Sequence, residues 1–98
     1  VVKIAPPKNF VMGQNYPNPG NPNTKINFEM PVNGKVNIVV YDLLGREVVT
    51  LLNENREADY YTVEFNGSNI ASGVYFYRIY AEGEGQSFTK TMKMIIVK

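Results

Sequence analysis

Ile26, Phe28 and Met30 alternate with Lys25, Asn27 and Glu29. A period of two fits a strand with one face buried and the other in water. The pattern returns in Val36, Ile38 and Val40, in Tyr61, Val63 and Phe65, and through the β-prone run Val74–Tyr80. It returns once more in Phe88, Met92, Met94 and Ile96, while Phe10–Met12 offers a short first strand and Val48–Leu52 a further one. Helical period is nowhere evident. Turn chemistry separates the runs: Pro31-Val32-Asn33-Gly34, Asp42-Leu43-Leu44-Gly45, Asn66–Asn69, Ile70–Gly73 and Glu82–Gly85, with a polar loop over Asn53–Asp59. Asn33-Gly34 supplies residues that tolerate positive φ, and Gly45 is the position expected to need it. About seven strands at roughly 10–12-residue spacing predict an all-β fold, an immunoglobulin-like β-sandwich of about seven antiparallel strands. A closed barrel of similar strand count is the alternative. The 98 residues suffice for one core and one domain.

Two stretches fall outside the alternation. Asn15–Asn23 holds three prolines and four asparagines in nine residues, which excludes helix and central strand and predicts a stiff, ordered loop. Upstream, Ala5-Pro6-Pro7-Lys8 favours an extended linker. Lys90 falls on the apolar face of the last strand, so either a bulge or a snorkelling side chain is expected there.

The residues for catalysis are scarce. The chain has no His and no Cys, which removes the commonest general base near neutral pH, the commonest zinc ligand, thiolate chemistry and any disulfide. Most of its acids fall on turns or solvent faces, and no catalytic pair facing across a cleft is expected. A weak calcium site at Glu54, Glu57 and Asp59 stays open. Gly83-Glu84-Gly85 lacks the third glycine of a dinucleotide loop and opens a strand, so it is a hairpin turn. Asn66-Gly67-Ser68 matches a glycosylation acceptor but also makes sense as a turn. A net charge of +1 gives no field for a phosphate backbone. No apolar run is long enough to span a membrane. No enzymatic activity, cofactor or nucleic-acid partner is expected.

Seven tyrosines could serve as core or as platforms for sugar rings. Tyr60 and Tyr61 are the pair that would test sugar binding. The absence of Trp lowers that reading, and Tyr75 and Tyr77, or Val74 and Phe76, are expected to build core.

Four separated segments match one family in order and spacing, from about Phe10 to Lys98. They are Gln14–Thr24, Tyr41–Val48, Ala71–Arg78 and Lys90–Lys98. Together they resemble the type A C-terminal sorting domain of the bacterial type IX secretion system. Gly20 stands where that family commonly has an aromatic, and Asp59-Tyr60 replaces a common Ala-Gly turn.

The resemblance implies an immunoglobulin-like sandwich appended to a secreted cargo. Its partners would be an outer-membrane translocon, a cell-surface sortase-like protease that removes the domain, and the upstream cargo domain in the same chain. Localisation would be secreted or cell-surface, via the periplasm of a Gram-negative bacterium. The chain begins Val1-Val2-Lys3-Ile4 without Met or a signal-peptide pattern. It reads as the tail of a longer protein, with residues 1–9 as linker and residues 10–98 as the sorting domain. Recognition is expected at Gly73, Val74 and Tyr75 and at the terminal strand through Lys93, Val97 and Lys98, whose edge is expected to be open to a partner strand. The competing readings are a carbohydrate-binding accessory module of a polysaccharide-degrading enzyme and a structural immunoglobulin-like spacer.

Overall fold

The protein is described by a computed structural model over residues 5–98. Part of the expected linker, residues 1–4, therefore lies outside the described residues. Seven strands follow in chain order: β1 (Val11–Met12), β2 (Asn23–Met30), β3 (Gly34–Tyr41), β4 (Glu47–Arg56), β5 (Asp59–Asn66), β6 (Gly73–Gly83) and β7 (Gln86–Ile96). They form a three-stranded sheet in the order β1-β2-β5 and a four-stranded sheet in the order β4-β3-β6-β7, with every strand pair antiparallel. This is the expected open sandwich, not a closed barrel.

The alternation places the core. Ile26, Phe28 and Met30 of β2 face Val36, Ile38 and Val40 of β3, together with Tyr75, Tyr77, Ile79, Met94 and Ile96 of β6 and β7, all buried. Each such apolar side chain contributes roughly 1.5–3 kcal/mol when removed from water. Of the two alternating sets on β6, Tyr75 and Tyr77 build the core, while Val74 and Phe76 lie on the opposite face.

At three places the structure refines or corrects the local reading. First, Asn33 and Gly34 tolerate positive φ but neither adopts it. No hairpin forms there, because β2 pairs with β5 and the chain crosses between sheets to reach β3. Gly34 answers a different demand: a Cβ on it would lie 2.0 Å from the Glu82 carbonyl oxygen. Second, Asn53–Arg56 is not loop. β4 runs on to Arg56 because Asn53, Glu54, Asn55 and Arg56 pair with Asn37, Val36, Lys35 and Gly34. Such polar residues suit an edge strand whose outer side meets water. Third, the first strand is only Val11–Met12, so Phe10 stands outside it.

Lys90 takes the snorkelling alternative. Its pairing with Ile79 is regular, and its Nζ reaches out to donate to the Met12 carbonyl at 3.2 Å. Gly45 has φ +81° at the β3–β4 hairpin as expected, and Glu84-Gly85 turns β6 into β7 with both residues at positive φ.

Candidate recognition end

The two ends of the sandwich differ. At one end lie the crossing at residues 31–33, the β4–β5 connection and the Glu84-Gly85 turn. At the other lie the proline-rich loop, the β3–β4 hairpin tip, the segment between β5 and β6, and the chain terminus. All four segments that carry the sequence resemblance reach this second end.

The residues just before β1 and those that follow it are laid along β7. Phe10 stacks on Phe88 with ring centroids 5.6 Å apart. Lys90 bonds to the Met12 carbonyl at 3.2 Å. Gln14 Nε2 donates to the Lys93 carbonyl at 2.8 Å, and Asn18 Oδ1 accepts from the Ile95 N–H at 3.1 Å. Backbone pairing then takes over: the Gly20 N–H donates to Ile95 O and the Val97 N–H to Gly20 O, each at 2.8 Å. Residues 10–20 thus run parallel to β7, ending in the parallel bridge of Gly20 with Ile96. The expected open edge is covered over Lys93–Val97, because the proline-rich loop supplies the partners a neighbouring strand would have given.

The loop holds its shape through buried polar groups. Asn15 is 2% exposed and Thr24 likewise. Asn15 Nδ2 donates to Thr24 Oγ1 at 3.0 Å, and the Thr24 hydroxyl donates to Pro17 O at 2.8 Å. The Tyr77 hydroxyl accepts the Asn15 N–H at 2.8 Å and donates to Gly13 O at 2.9 Å. Burial raises the Tyr77 phenol above its ordinary pKa, against the lowering effect of the Asn15 N–H. Gly20 is enclosed: a Cβ there would meet Thr24 at 3.0 Å and the Ile96 side chain at 3.1 Å.

The six expected recognition residues share this end but not one exposure. Gly73, Val74 and Tyr75 pair with Ile96, Ile95 and Met94, and Lys93 pairs with Phe76. Lys93 and Lys98 are exposed, as is Val97 at 44%. The Lys98 N–H donates to Ser72 Oγ at 3.1 Å. Tyr75 is buried, its hydroxyl donating to Ala71 O at 2.6 Å, so it shapes the segment from below. No sequence signal separated its inward ring from the outward Val74.

At the hairpin tip, Asp42 Oδ1 accepts the N–H groups of Leu44 and Arg46 at 2.9 and 3.0 Å, and Oδ2 accepts Arg46 Nε at 2.7 Å. The Arg46 backbone N–H holds the Asp42 carboxyl below its usual range; desolvation, next in size, opposes it, and the Arg46 side chain and the Leu44 N–H add to the lowering. Leu43 and Leu44 project into solvent at 66% and 78% exposure. From sequence this tip reads as a turn within a segment resembling the family's hairpin motif, with no role of its own. Two adjacent leucines at a turn apex were the signal for more.

Among the described residues no group of three or more acids is placed to hold a metal ion. Of the suggested calcium trio, Glu54 pairs with Arg56, and Asp59 accepts the N–H of Tyr60. Tyr60 and Tyr61 point to opposite faces of β5. Tyr61 stacks on Phe28 at 5.1 Å while Tyr60 is 49% exposed, so the two form no shared platform. Asn66 Oδ1 accepts the Ser68 N–H at 2.9 Å, which accounts for that sequon as a turn.

Comparison with known proteins bears on the family and the fold. The family model described as "Secretion system C-terminal sorting domain" matches residues 14–98. No curated protein matches the chain. Among solved structures, that of dimeric latent PorU from Porphyromonas gingivalis is similar over 99% of this chain, with a TM-score of 0.72 and 22% identity. The chain spans 10% of the length of that protein, and the likeness is one of fold.

Proposed function

The chain belongs to the family of secretion system C-terminal sorting domains, and from that premise we propose that its address is the end of the sandwich where the proline-rich loop clamps the terminus of β7. The family is a targeting module of type IX secretion. Its role is to carry an attached protein through the outer membrane of a Gram-negative bacterium to the surface or beyond.

The observation that carries the proposal is the clamp. Gln14, Asn18 and Gly20 fix Lys93, Ile95 and Val97, and Ser72 fixes Lys98. These contacts hold Gly73, Val74, Lys93, Val97 and Lys98 in one arrangement, with Tyr75 as their support. A surface ordered before encounter loses less entropy on binding than a loose tail would. The partners read in this way are the translocon and the surface protease that releases the cargo.

Phe10, just before β1, lies toward the opposite end. Phe10 lies beside Phe88, roughly 27 Å along β7 from Ile96 at about 3.3–3.4 Å per residue. A cargo joined through residues 1–9 would leave the address uncovered. Cleavage belongs upstream of Phe10, since a protease needs accessible backbone: residues 10–20 are fastened to β7, whereas Ala5, Pro6, Lys8 and Asn9 are exposed and Pro7 alone is buried. Mass spectrometry of released cargo should place its new C-terminus before Phe10. A terminus after Gly13 would contradict the assignment.

The address is tested by export of a folded reporter joined ahead of Val1. Deleting Ile95–Lys98 should leave the reporter in the periplasm. Because Ile96 is fully buried, the deletion also removes core. Lys93→Ala with Lys98→Ala removes two exposed charges with little packing, and should reduce export while the circular dichroism spectrum is unchanged. Full export by the deletion variant would refute the proposal.

A further inference from the structure

The outer faces of the two sheets are unlike. On the three-stranded sheet, polar groups satisfy one another: Lys25 pairs with Glu64, and Asn27 Oδ1 accepts from the hydroxyls of Tyr16 and Thr62. The four-stranded sheet presents Tyr41, Val74, Phe76 and Ile95 toward solvent, continuous with the exposed Leu43 and Leu44 of the hairpin tip.

Two clefts flank that tip. One, of about 230 Å³, lies between Leu43 and Leu44 on one side and Gly73 and Val74 on the other. The second, of about 260 Å³, lies between Leu43 and the row of Tyr41, Phe76 and Arg78. Leu43 is the ridge between them. Beside the clefts stand Arg78 and Lys93, neither of which has a carboxylate partner among the described residues. Arg78 lies over the Tyr41 ring, 4.9 Å from its centroid, and donates to the Tyr41 hydroxyl at 2.5 Å. The nearby Asp42 carboxylate is taken up by its own turn.

The geometry points to a docking site in which the Leu43–Leu44 ridge and its two clefts receive a protein partner that presents apolar side chains bordered by carboxylates. This deepens the sorting reading and rests on it, adding the hairpin tip to the terminal-strand address. Apolar side chains would fill the clefts, and carboxylates would meet Arg78 and Lys93. A second copy is disfavoured by charge, since a two-fold contact of this face with itself brings its unpaired cations together. A lipid surface lacks discrete projecting groups to occupy two concave sites.

The test uses reporter export together with two controls of occupancy. Leu43→Ser with Leu44→Ser removes the ridge, and Arg78→Glu with Lys93→Glu reverses the charge. All four residues are exposed, so thermal stability should change little. Each pair should lower the exported fraction about tenfold, as expected where a few residues carry the binding energy. Lys35→Glu, at the far end of the same face, should export normally. Normal export by the serine pair alongside export by the parent chain overturns the docking site and leaves the sorting reading intact. Failure of the parent chain to export overturns both. Co-sedimentation of the 98-residue chain with phosphatidylglycerol vesicles, abolished by the same serine pair, would overturn a protein partner in favour of lipid. A concentration-dependent dimer dissociated by that pair would overturn it in favour of self-association.

Discussion

Tyr77 holds two functions in one side chain. Its ring is fully buried among the core residues, and its hydroxyl joins Gly13 to Asn15. Tyr77→Phe keeps the ring but leaves a buried N–H and a carbonyl without that partner, a loss of about 1–3 kcal/mol, measurable by urea unfolding. Because burial raises the folded phenol above its unfolded value near 10, the neutral form is the one the fold favours. Its contribution is complete below the unfolded value and is lost as pH rises through the folded one. The phenylalanine variant should lack that alkaline step. Asp42 runs the other way. Its lowered carboxyl favours the fold above the unfolded value and loses that effect as pH falls through the folded one. Since the largest cause is the Arg46 backbone N–H, Arg46→Ala should raise the Asp42 value only partway in an NMR titration. Return to the ordinary aspartate value would show that the side chain dominates. The sequence marks Tyr77 as β-prone and apolar, but the bond to Asn15 spans 62 positions, and no local pattern encodes such a contact.

Strands were legible wherever one face alone is buried, as in β2, β6 and β7. β4 was half legible. Its apolar part, Val48–Leu52, reads as a strand, whereas Asn53–Arg56 is held by cross-strand pairing that overrides polar composition. The glycines show the same division. Gly45 was legible from its turn, and its φ of +81° leaves open space around a Cβ. Gly34 reads as a turn residue, yet it serves the close approach of β3 to the end of β6, where a Cβ on Gly83 would meet Asn33 O in the same way. Gly45→Ala should cost about 1–2 kcal/mol of backbone strain. Gly34→Ala must push two backbones apart and should cost about 3 kcal/mol, the upper part of the range for overpacking. Equal losses in chemical denaturation would contradict this distinction.

At the scale of the molecule, the four resembling segments are spread over most of the chain, yet the antiparallel connections return each of them to one end. The order of motifs was legible in sequence. Their convergence was not, because it depends on which strands become neighbours and on a loop that pairs with the last strand. The leucine pair at the hairpin tip is visible in sequence, but the clefts beside it are not, since they exist only once β6 lies beside β3. A sorting domain built this way should act as a folded end-surface carried behind its cargo. The most direct measurement is the partition of a folded reporter joined ahead of Val1, compared between cells with a working type IX system and otherwise identical cells lacking its translocon. Reporter in the medium or on the surface of the first cells, and held in the periplasm of the second, is the predicted result. Equal retention in both would contradict the assignment of this chain as an export address.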